Sequence, residues 1–316
     1  MSTHAANSAQ ADAANTHDAT PTARRGVVLH AGSLGDSVMV WPLLRALSRQ
    51  GFQVDFVSAS EKARLGARWL GEPVGAVDIE QPRYASLWRD GLPQAIDTEA
   101  SLVVSFLVEP GSEIGTRWLE RASAAFPCAR IMLVGAPGTP SRRDAWERFD
   151  VARLGAVAPT AHDTNRSIVM HVGAGGEAKR WALDRFIELA RALTLRHAPG
   201  VQLIAGEVER ERFSERERSV FASAGGRMIG DLESLAKSLA GATLVIASDT
   251  GPGHLSAQLG VPTLSLFGPT DIAAWSPIGA RARVIAPGVP SPMAWLDVQR
   301  VIEEASAMLA GGATDQ

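Results

Sequence analysis

The polypeptide has 316 residues, 46% of them hydrophobic and 21% charged, with a formal net charge of −3. That is long and apolar enough for two globular domains, and a charge so near balance exerts no overall pull on nucleic acid or anionic membrane. One cysteine, Cys128, excludes an internal disulfide framework or a cysteine-built metal site, and no stretch approaches the ~18 consecutive apolar residues of a membrane span.

Residues 1–25 are small and polar with no apolar stretch. They read as a disordered tail and not as a signal peptide, which implies a cytoplasmic protein. A short apolar strand over 26–30 runs into a glycine-bearing turn, Ala31 to Asp36. Val38, Met39, Trp41, Leu43, Leu44 and Leu47 then give one helical stripe ending near Gly51, with Pro42 early, where a kink costs less than in the middle. A strand over 53–58 completes a βαβ unit whose polar turn lies on the carboxyl edge. Further strands are expected over 76–79, 102–107 and 130–134, with a helix over 113–125. Cys128, just before an apolar run, reads as a small core residue. After the breakers Pro137 to Pro140, a charged helical segment runs to about Leu154. Residues 155–166 have linker composition, which divides the chain into domains 26–154 and 167–310.

The second half restarts the pattern with a strand over 168–172, the turn GAGGEAKRW and a helix carrying Leu183, Phe186, Ile187, Ala190 and Leu193. A strand over 201–205 precedes a highly charged helix, 208–221, whose mixed signs read mostly as a solvated face. A short strand over 227–229 and a helix from Leu232 to Leu239 lead into TLVIASDTGPGHLSAQLGVPTLSLFGPTD, residues 243–271. This stretch reads as strand, tight turn, helix, strand, because buried parallel strands are uninterrupted apolar runs. Both of its turns then emerge on one sheet edge. The last helix, 293–309, is amphipathic and is expected to reach back to the first domain. The fold expected is α/β: two Rossmann-like domains facing each other across a cleft. Neither glycine turn is a GxGxxG fingerprint or a GxxxxGK[ST] loop, which counts against a dehydrogenase or an NTPase.

Gly251 and Gly253 leave the backbone bare beside Asp249, Thr250 and His254, so helix N–H groups there could meet a phosphate; a plainly capped helix start fits the same spacing. Asp36 is open to two readings: an N-cap, or a carboxylate general base at a cleft. Ser33, Lys62, Arg64 and Arg68 are candidates for the acceptor side, though the three basic residues also suit a solvated face. His30 and His171 end apolar strands at the cleft edge and read as hydrogen-bonded structural histidines before ligands. Trp181, ahead of an amphipathic helix, reads as core.

Three motifs in order, GSLGDSVMVWPLLRAL, GAGGEAKRW and SDTGPGHLSAQLGVPTLSLFGPTD, resemble the heptosyltransferase-like family, glycosyltransferase family nine, of GT-B fold. The resemblance covers nearly everything outside the tail. It implies that Asp36 is the catalytic base and that Lys179 contacts the donor phosphates, with Gly173, Gly175 and Gly176 as the phosphate loop. It implies donor contacts by Asp249, Thr250, Gly251, Gly253 and His254, by Thr270 and Asp271 of the GPTD turn, and by Glu209 on the nucleoside ribose. The implied substrates are a nucleotide sugar of the ADP-heptose kind and a lipopolysaccharide or other surface-glycan acceptor. No cofactor is implied, and any membrane contact would be peripheral, at the inner face of the cell membrane.

The chemistry of these residues agrees with that resemblance. A carboxylate can strip the acceptor hydroxyl, and a lysine plus a helix N-terminus can stabilise a departing diphosphate without a metal. No Asp-x-Asp pair occurs in the chain, which argues against a metal–diphosphate clamp. Some positions depart from the family pattern: Ala182 replaces a proline, Gly175 and Gly176 replace residues that in some members carry a hydroxyl, and Leu-Ser-Ala follows His254. They leave the donor's base and sugar open. Two other readings stand beside the transferase: a GT-B-fold sugar-nucleotide epimerase or hydrolase, which needs an acid–base pair where only Asp36 offers itself, and a non-catalytic nucleotide-sugar binder, which would need none of these residues.

Overall fold

The computed structural model describes residues 24–89, 91, 93–155, 157, 167–196 and 200–311. The first half runs β1 (Arg24–Leu29), α1 (Leu34–Val38), α2 (Trp41–Arg49), β2 (Phe52–Ser58), α3 (Ser60–Trp69), β3 (Val74–Asp78), α4 (Pro82–Ala85), β4 (Ala100–Ser105), α5 (Glu113–Ala125), β5 (Arg130–Leu133), α6 (Pro140–Arg148) and α7 (Val151–Leu154). Its five strands form a parallel sheet in the order β3-β2-β1-β4-β5.

The second half runs β6 (Ser167–His171), α8 (Leu183–Arg196), β7 (Val201–Ala205), α9 (Glu207–Arg212), α10 (Glu215–Ser223), β8 (Arg227–Met228), α11 (Leu232–Ala240), β9 (Ala242–Ser248), α12 (Gly251–Gln258), β10 (Thr263–Leu266), α13 (Ile272–Trp275), β11 (Ala282–Ile285) and α14 (Val298–Gly311). Its sheet, β11-β10-β9-β6-β7-β8, is parallel and has the strand order of dinucleotide-binding domains. The winding reverses between β1 and β4 in one sheet and between β6 and β9 in the other, so each half opens a crevice at the carboxyl ends of those strands.

Alternation along the strands sorts the core. Val27 and Leu29 of β1 join the cluster of Trp118 and Phe126, whereas Val28 joins that of Trp41 and Leu44. The latter cluster continues across the junction to Leu235, Leu255 and Leu259 of the second half. Arg45 of α2 is 1% exposed there. It donates to the Leu70 carbonyl at 3.0 Å, to the Gln258 carbonyl at 3.0 Å and to the Gln258 side-chain oxygen. Trp69 Nε1 donates to Glu233 at 3.0 Å. The two halves therefore meet through apolar packing backed by a buried hydrogen-bonded cation.

Several elements differ from expectation. The expected tail lies outside the described residues up to position 23, but Arg24 and Arg25 already belong to β1. Arg24 stacks over Phe52 at 4.3 Å and Arg25 pairs with Asp55 at 2.8 Å and Asp97 at 3.0 Å. Of the expected linker, only Gly155, which caps α7, and residue 157 are described. The single stripe after the first turn is two helices, because Pro42 has no N–H for an interior hydrogen bond and takes the first turn of α2. The charged segments divide likewise: Asp150 at φ 49° separates α6 from α7, and extended Phe213, followed by the capping Ser214, separates α9 from α10. The last helix, α14, packs on α8 and β9 and not back on the first domain. Its Val298, Val301, Ile302 and Ala305 complete the core around Trp181. Cys128 is exposed, not core.

Candidate functional site

The turn after β1 is held by its own side chains. Ser33 is the N-cap of α1, and Asp36, in its first turn, closes a capping box: the Asp36 carboxylate accepts from Ser33 N–H at 3.0 Å and from its hydroxyl at 2.7 Å. Asp36 is thus not the N-cap itself. One carboxylate oxygen is committed to this turn, which fixes the direction of the other. Lys62 of α3 donates to the Gly32 carbonyl at 2.5 Å, fastening the same turn from the side. His30 Nδ1 accepts from Gly32 N–H at 3.2 Å. Burial pushes the imidazole down to about 4, with Asp36 opposing and Lys62 and Arg142 assisting, so His30 is neutral at pH 7.

In the second half the three turns after β6, β9 and β10 converge. Lys179 Nζ lies 2.7 Å from Asp249 Oδ2, and His254 Nε2 lies 3.5 Å from Asp249 Oδ1. Burial acts to raise the Asp249 carboxyl, but the His254 and Lys179 hydrogen bonds and the lysine charge outweigh it and hold the group below the usual carboxylate range. Thr270 Oγ1 is close to the same carboxylate but outside hydrogen-bond geometry. Thr250 caps α12, its hydroxyl accepting from Gly253 N–H at 3.5 Å. Trp181 is fully buried against Phe186, and its indole donates to the Leu296 carbonyl at 3.0 Å. It is a core residue that anchors the turn carrying Lys179.

Glu209 lies in a segment that reads as solvated, yet it is 4% exposed. Its carboxylate accepts from Gly206 N–H at 3.0 Å and lies 3.9 Å from His171 Nε2. Burial lowers the His171 imidazole, with Glu209 opposing. Gly173 makes this packing possible, because a Cβ there would fall 2.0 Å from the Glu209 carboxyl carbon.

The two halves touch through their glycine turns. A Cβ on Gly35 would lie 3.3 Å from the His254 ring, and one on Gly251 would lie 3.0 Å from Leu34 and 3.1 Å from Gly35 N. Two cavities flank this contact. The first, of about 330 Å³, is lined by Ser33, Leu34 and Gly35 from one half and by His171, Glu209, Thr250 and Gly251 from the other. Glu61, Glu207 and Asp231 also border it, which makes it acidic at one end. The second, of about 290 Å³, is lined by His30, Gly32, Asp36, Phe106, Glu109, Arg142 and Trp275. The turn from Gly32 to Asp36 is the wall between them.

Most residues singled out from the sequence gather here, and some do not. Arg64 donates to Ser60 at 2.6 Å and Arg68 pairs with Glu233 at 3.1 Å, both away from Asp36, at the outer rim of the domain junction. Gly175 borders the first cavity, where Arg212 holds its carbonyl at 3.0 Å, and a Cβ on Gly175 or Gly176 would meet only open space. Asp271 caps α13 through Ala273 N–H at 2.9 Å. Arg142 and Trp275 were not legible as site residues. Arg142 is buried under Trp146 and Phe106, at 4.3 and 5.3 Å from their ring centres. Among the described residues no three His, Cys, Asp or Glu side chains converge as a metal site requires, and no helix is long and apolar enough to cross a membrane.

Two Rossmann-like domains meeting at their carboxyl edges, with a polar cluster at the seam, define a GT-B fold. Solved structures of that fold superpose on about nine-tenths of the chain. "E. coli heptosyltransferase WaaC with ADP" matches 90% of this chain and 99% of its own at 19% identity, with a TM-score of 0.63. "E. coli ADP-heptose lps heptosyltransferase II" matches 92% and 99% at 18% identity, with a TM-score of 0.61. The chain belongs to glycosyltransferase family 9 (heptosyltransferase), whose pattern matches residues 137–294. Lipopolysaccharide heptosyltransferase 1 of Pseudomonas aeruginosa is 51% identical over 69 residues, 18% of each protein. A putative glycosyltransferase of Haemophilus influenzae is 33% identical over 111 residues, 32% of this chain and 30% of that protein. The chain thus matches under a third of the length of these curated relatives.

Proposed function

We propose that the chain is an inverting glycosyltransferase. It moves a sugar, heptose favoured, from a nucleotide-diphosphate donor, ADP-heptose favoured, to a hydroxyl of lipopolysaccharide or another surface glycan. One observation carries this reading: the capping turn that holds Asp36 separates a cavity facing Thr250 and Gly251 from a second cavity in which Asp36 itself stands. Donor and acceptor would meet across that turn. Family membership and the ADP named with a structural relative support the choice of donor.

The first cavity orients the donor by charge. Its carboxylates, Glu209 among them, suit ribose hydroxyls and repel phosphates, so the diphosphate lies toward the start of α12 and Lys179. Asp36 takes the proton of the acceptor hydroxyl as that oxygen attacks the anomeric carbon. The bond from that carbon to the diphosphate oxygen breaks, and the nucleotide leaves with both bonding electrons. Lys179 and the α12 N-terminus stabilise the charge that develops, a role that needs no metal ion. Attack opposite the leaving group inverts the anomeric centre. No cofactor takes part, and the enzyme would act in the cytoplasm against acceptors at the inner membrane face.

The test is incubation of the purified chain with ADP-heptose and a lipopolysaccharide core lacking heptose, with EDTA present, reading product mass and anomeric configuration. Heptose transfer with inverted configuration is expected. No transfer from any nucleotide sugar would sink the reading, and nucleotide release without an acceptor product would favour the hydrolase.

A further inference from the structure

Among the described residues, the cavity around Asp36 is lined by loops and helix starts of the first half, with one exception. His30 and Asp36 follow β1, Phe106 and Glu109 follow β4, and Arg142 lies in α6, but Trp275 ends α13 of the other half. A helix of four residues has almost no stability of its own, so contacts must hold it. Asp271 caps it. Ala274 lies against the turn after β5, since a Cβ on Gly138 would be 3.4 Å from its methyl group. Behind it, Gln258 donates to the Ile278 carbonyl, and Gly279 sits so close to α12 that a Cβ would meet the Ala257 carbonyl oxygen at 2.6 Å.

Gln258 is also the residue that Arg45 of the first half grips. The backbone segment that carries Trp275 is therefore held by contacts that trace to both domains. On the other side of the indole, Lys179 Nζ lies 5.8 Å from the ring centre. Trp275 spans the distance from the cation paired with Asp249 to the cavity of the candidate base.

We propose that Trp275 is a specificity-determining residue for the acceptor. Its indole gives an aromatic face against which the C–H face of the acceptor saccharide ring packs, while Asp36 addresses the hydroxyl. Because the residue comes from the half that holds the donor, the acceptor site is complete only when the two halves are seated together. The proposal rests on the transferase reading above. An indole suits the task because it offers a large apolar surface with only two side-chain torsions to order.

The test compares wild type, Trp275→Ala and Trp275→Phe as full chains. Calorimetry with ADP, and then with heptose-free lipopolysaccharide core oligosaccharide on the ADP complex, is followed by steady-state transfer from ADP-heptose. ADP is expected to bind all three within about threefold. Oligosaccharide affinity falls about tenfold in Trp275→Ala and largely recovers in Trp275→Phe, with the acceptor KM rising to match and kcat little changed. Equal oligosaccharide binding by wild type and Trp275→Ala overturns the proposal and leaves the transferase standing. A Trp275→Phe variant as weak as Trp275→Ala overturns the aromatic role. Loss of ADP binding along with the oligosaccharide shows that α13 merely supports the donor half, and also overturns it. A wild type that binds ADP but neither binds the oligosaccharide nor transfers heptose removes the transferase reading, and this proposal with it.

Discussion

Lys179 and Asp249 form a pair 2.7 Å apart in which the carboxylate is 4% exposed and the lysine 36%. The lysine is half free to turn from Asp249 to an incoming diphosphate, which a fully buried partner could not do. Lys179→Met is predicted to weaken ADP binding about tenfold, the worth of one charge-assisted contact. It also strips Asp249 of its cation. The depressed carboxyl contributes stability above its unfolded value of about 3.9 and loses that contribution as pH falls through its lower folded value. The variant should therefore be roughly 1 kcal/mol less stable at pH 7, with the gap narrowing below about pH 4. Calorimetric titration with ADP and urea unfolding at two pH values measure both; unchanged ADP affinity would remove Lys179 from the donor site.

Asp36 and Ser33 can be separated experimentally, although they hold each other. Asp36→Asn keeps an acceptor oxygen for the capping box but removes the base, so kcat should fall about 10²- to 10⁴-fold with ADP binding intact. Ser33→Ala keeps the base and removes the cap, costing about 1 kcal/mol of stability. Its kcat loss should be much the smaller. Similar losses in the two variants would make Asp36 a structural residue.

The legible parts of this molecule were those with local signals. Buried parallel strands are continuous apolar runs, and β6, β7 and β9 could be read directly. The edge strand β11 could not, because Ala282 and Val284 stay partly exposed on either side of an exposed Arg283 and form no apolar run. Asp36, Asp249, Thr250 and His254 sit in glycine turns whose chemistry shows in sequence, whereas Lys179 came forward through the family resemblance. Glu209, inside a mixed-charge run, came forward only through the family resemblance, and Arg45 and Arg142 were not singled out, because the partners of these three, Gly173, Gln258 and Phe106, lie far along the chain. Trp275 gave no signal, since only the meeting of the two domains puts it beside Asp36.

The buried histidines predict an acid limb in the stability curve. His30 has a folded value of about 4 against 6.5 when exposed. Between these values the unfolded chain binds a proton that the folded chain refuses, so the contribution is complete above pH 6.5 and lost as pH falls toward 4. His171, also lowered by burial, acts in the same sense. His30→Gln should remove on the order of 2 kcal/mol of the stability lost between pH 7 and pH 5. Denaturant unfolding across that range is the measurement, and parallel curves for wild type and variant would refute the assignment.

The glycines of the second turn differ in what they permit, and substitution separates them. At Gly173 a methyl group would meet the Glu209 carboxylate at 2.0 to 2.5 Å, whereas at Gly175 and Gly176 it would meet nothing within 4 Å. Glu209 cannot retreat cheaply, because its other contacts are the Gly206 N–H and His171. Gly173→Ala is therefore predicted to displace the carboxylate and cost about 1–3 kcal/mol, the usual range for overpacking a filled site. Gly175→Ala should change stability by less than about 0.5 kcal/mol. If Glu209 orients the nucleoside, Gly173→Ala also weakens ADP binding, and Glu209→Gln does so with little loss of stability. Unfolding midpoints and ADP titrations on these three variants are sufficient. Equal stability of Gly173→Ala and Gly175→Ala would show that the Glu209 carboxylate does not pack where the structure puts it.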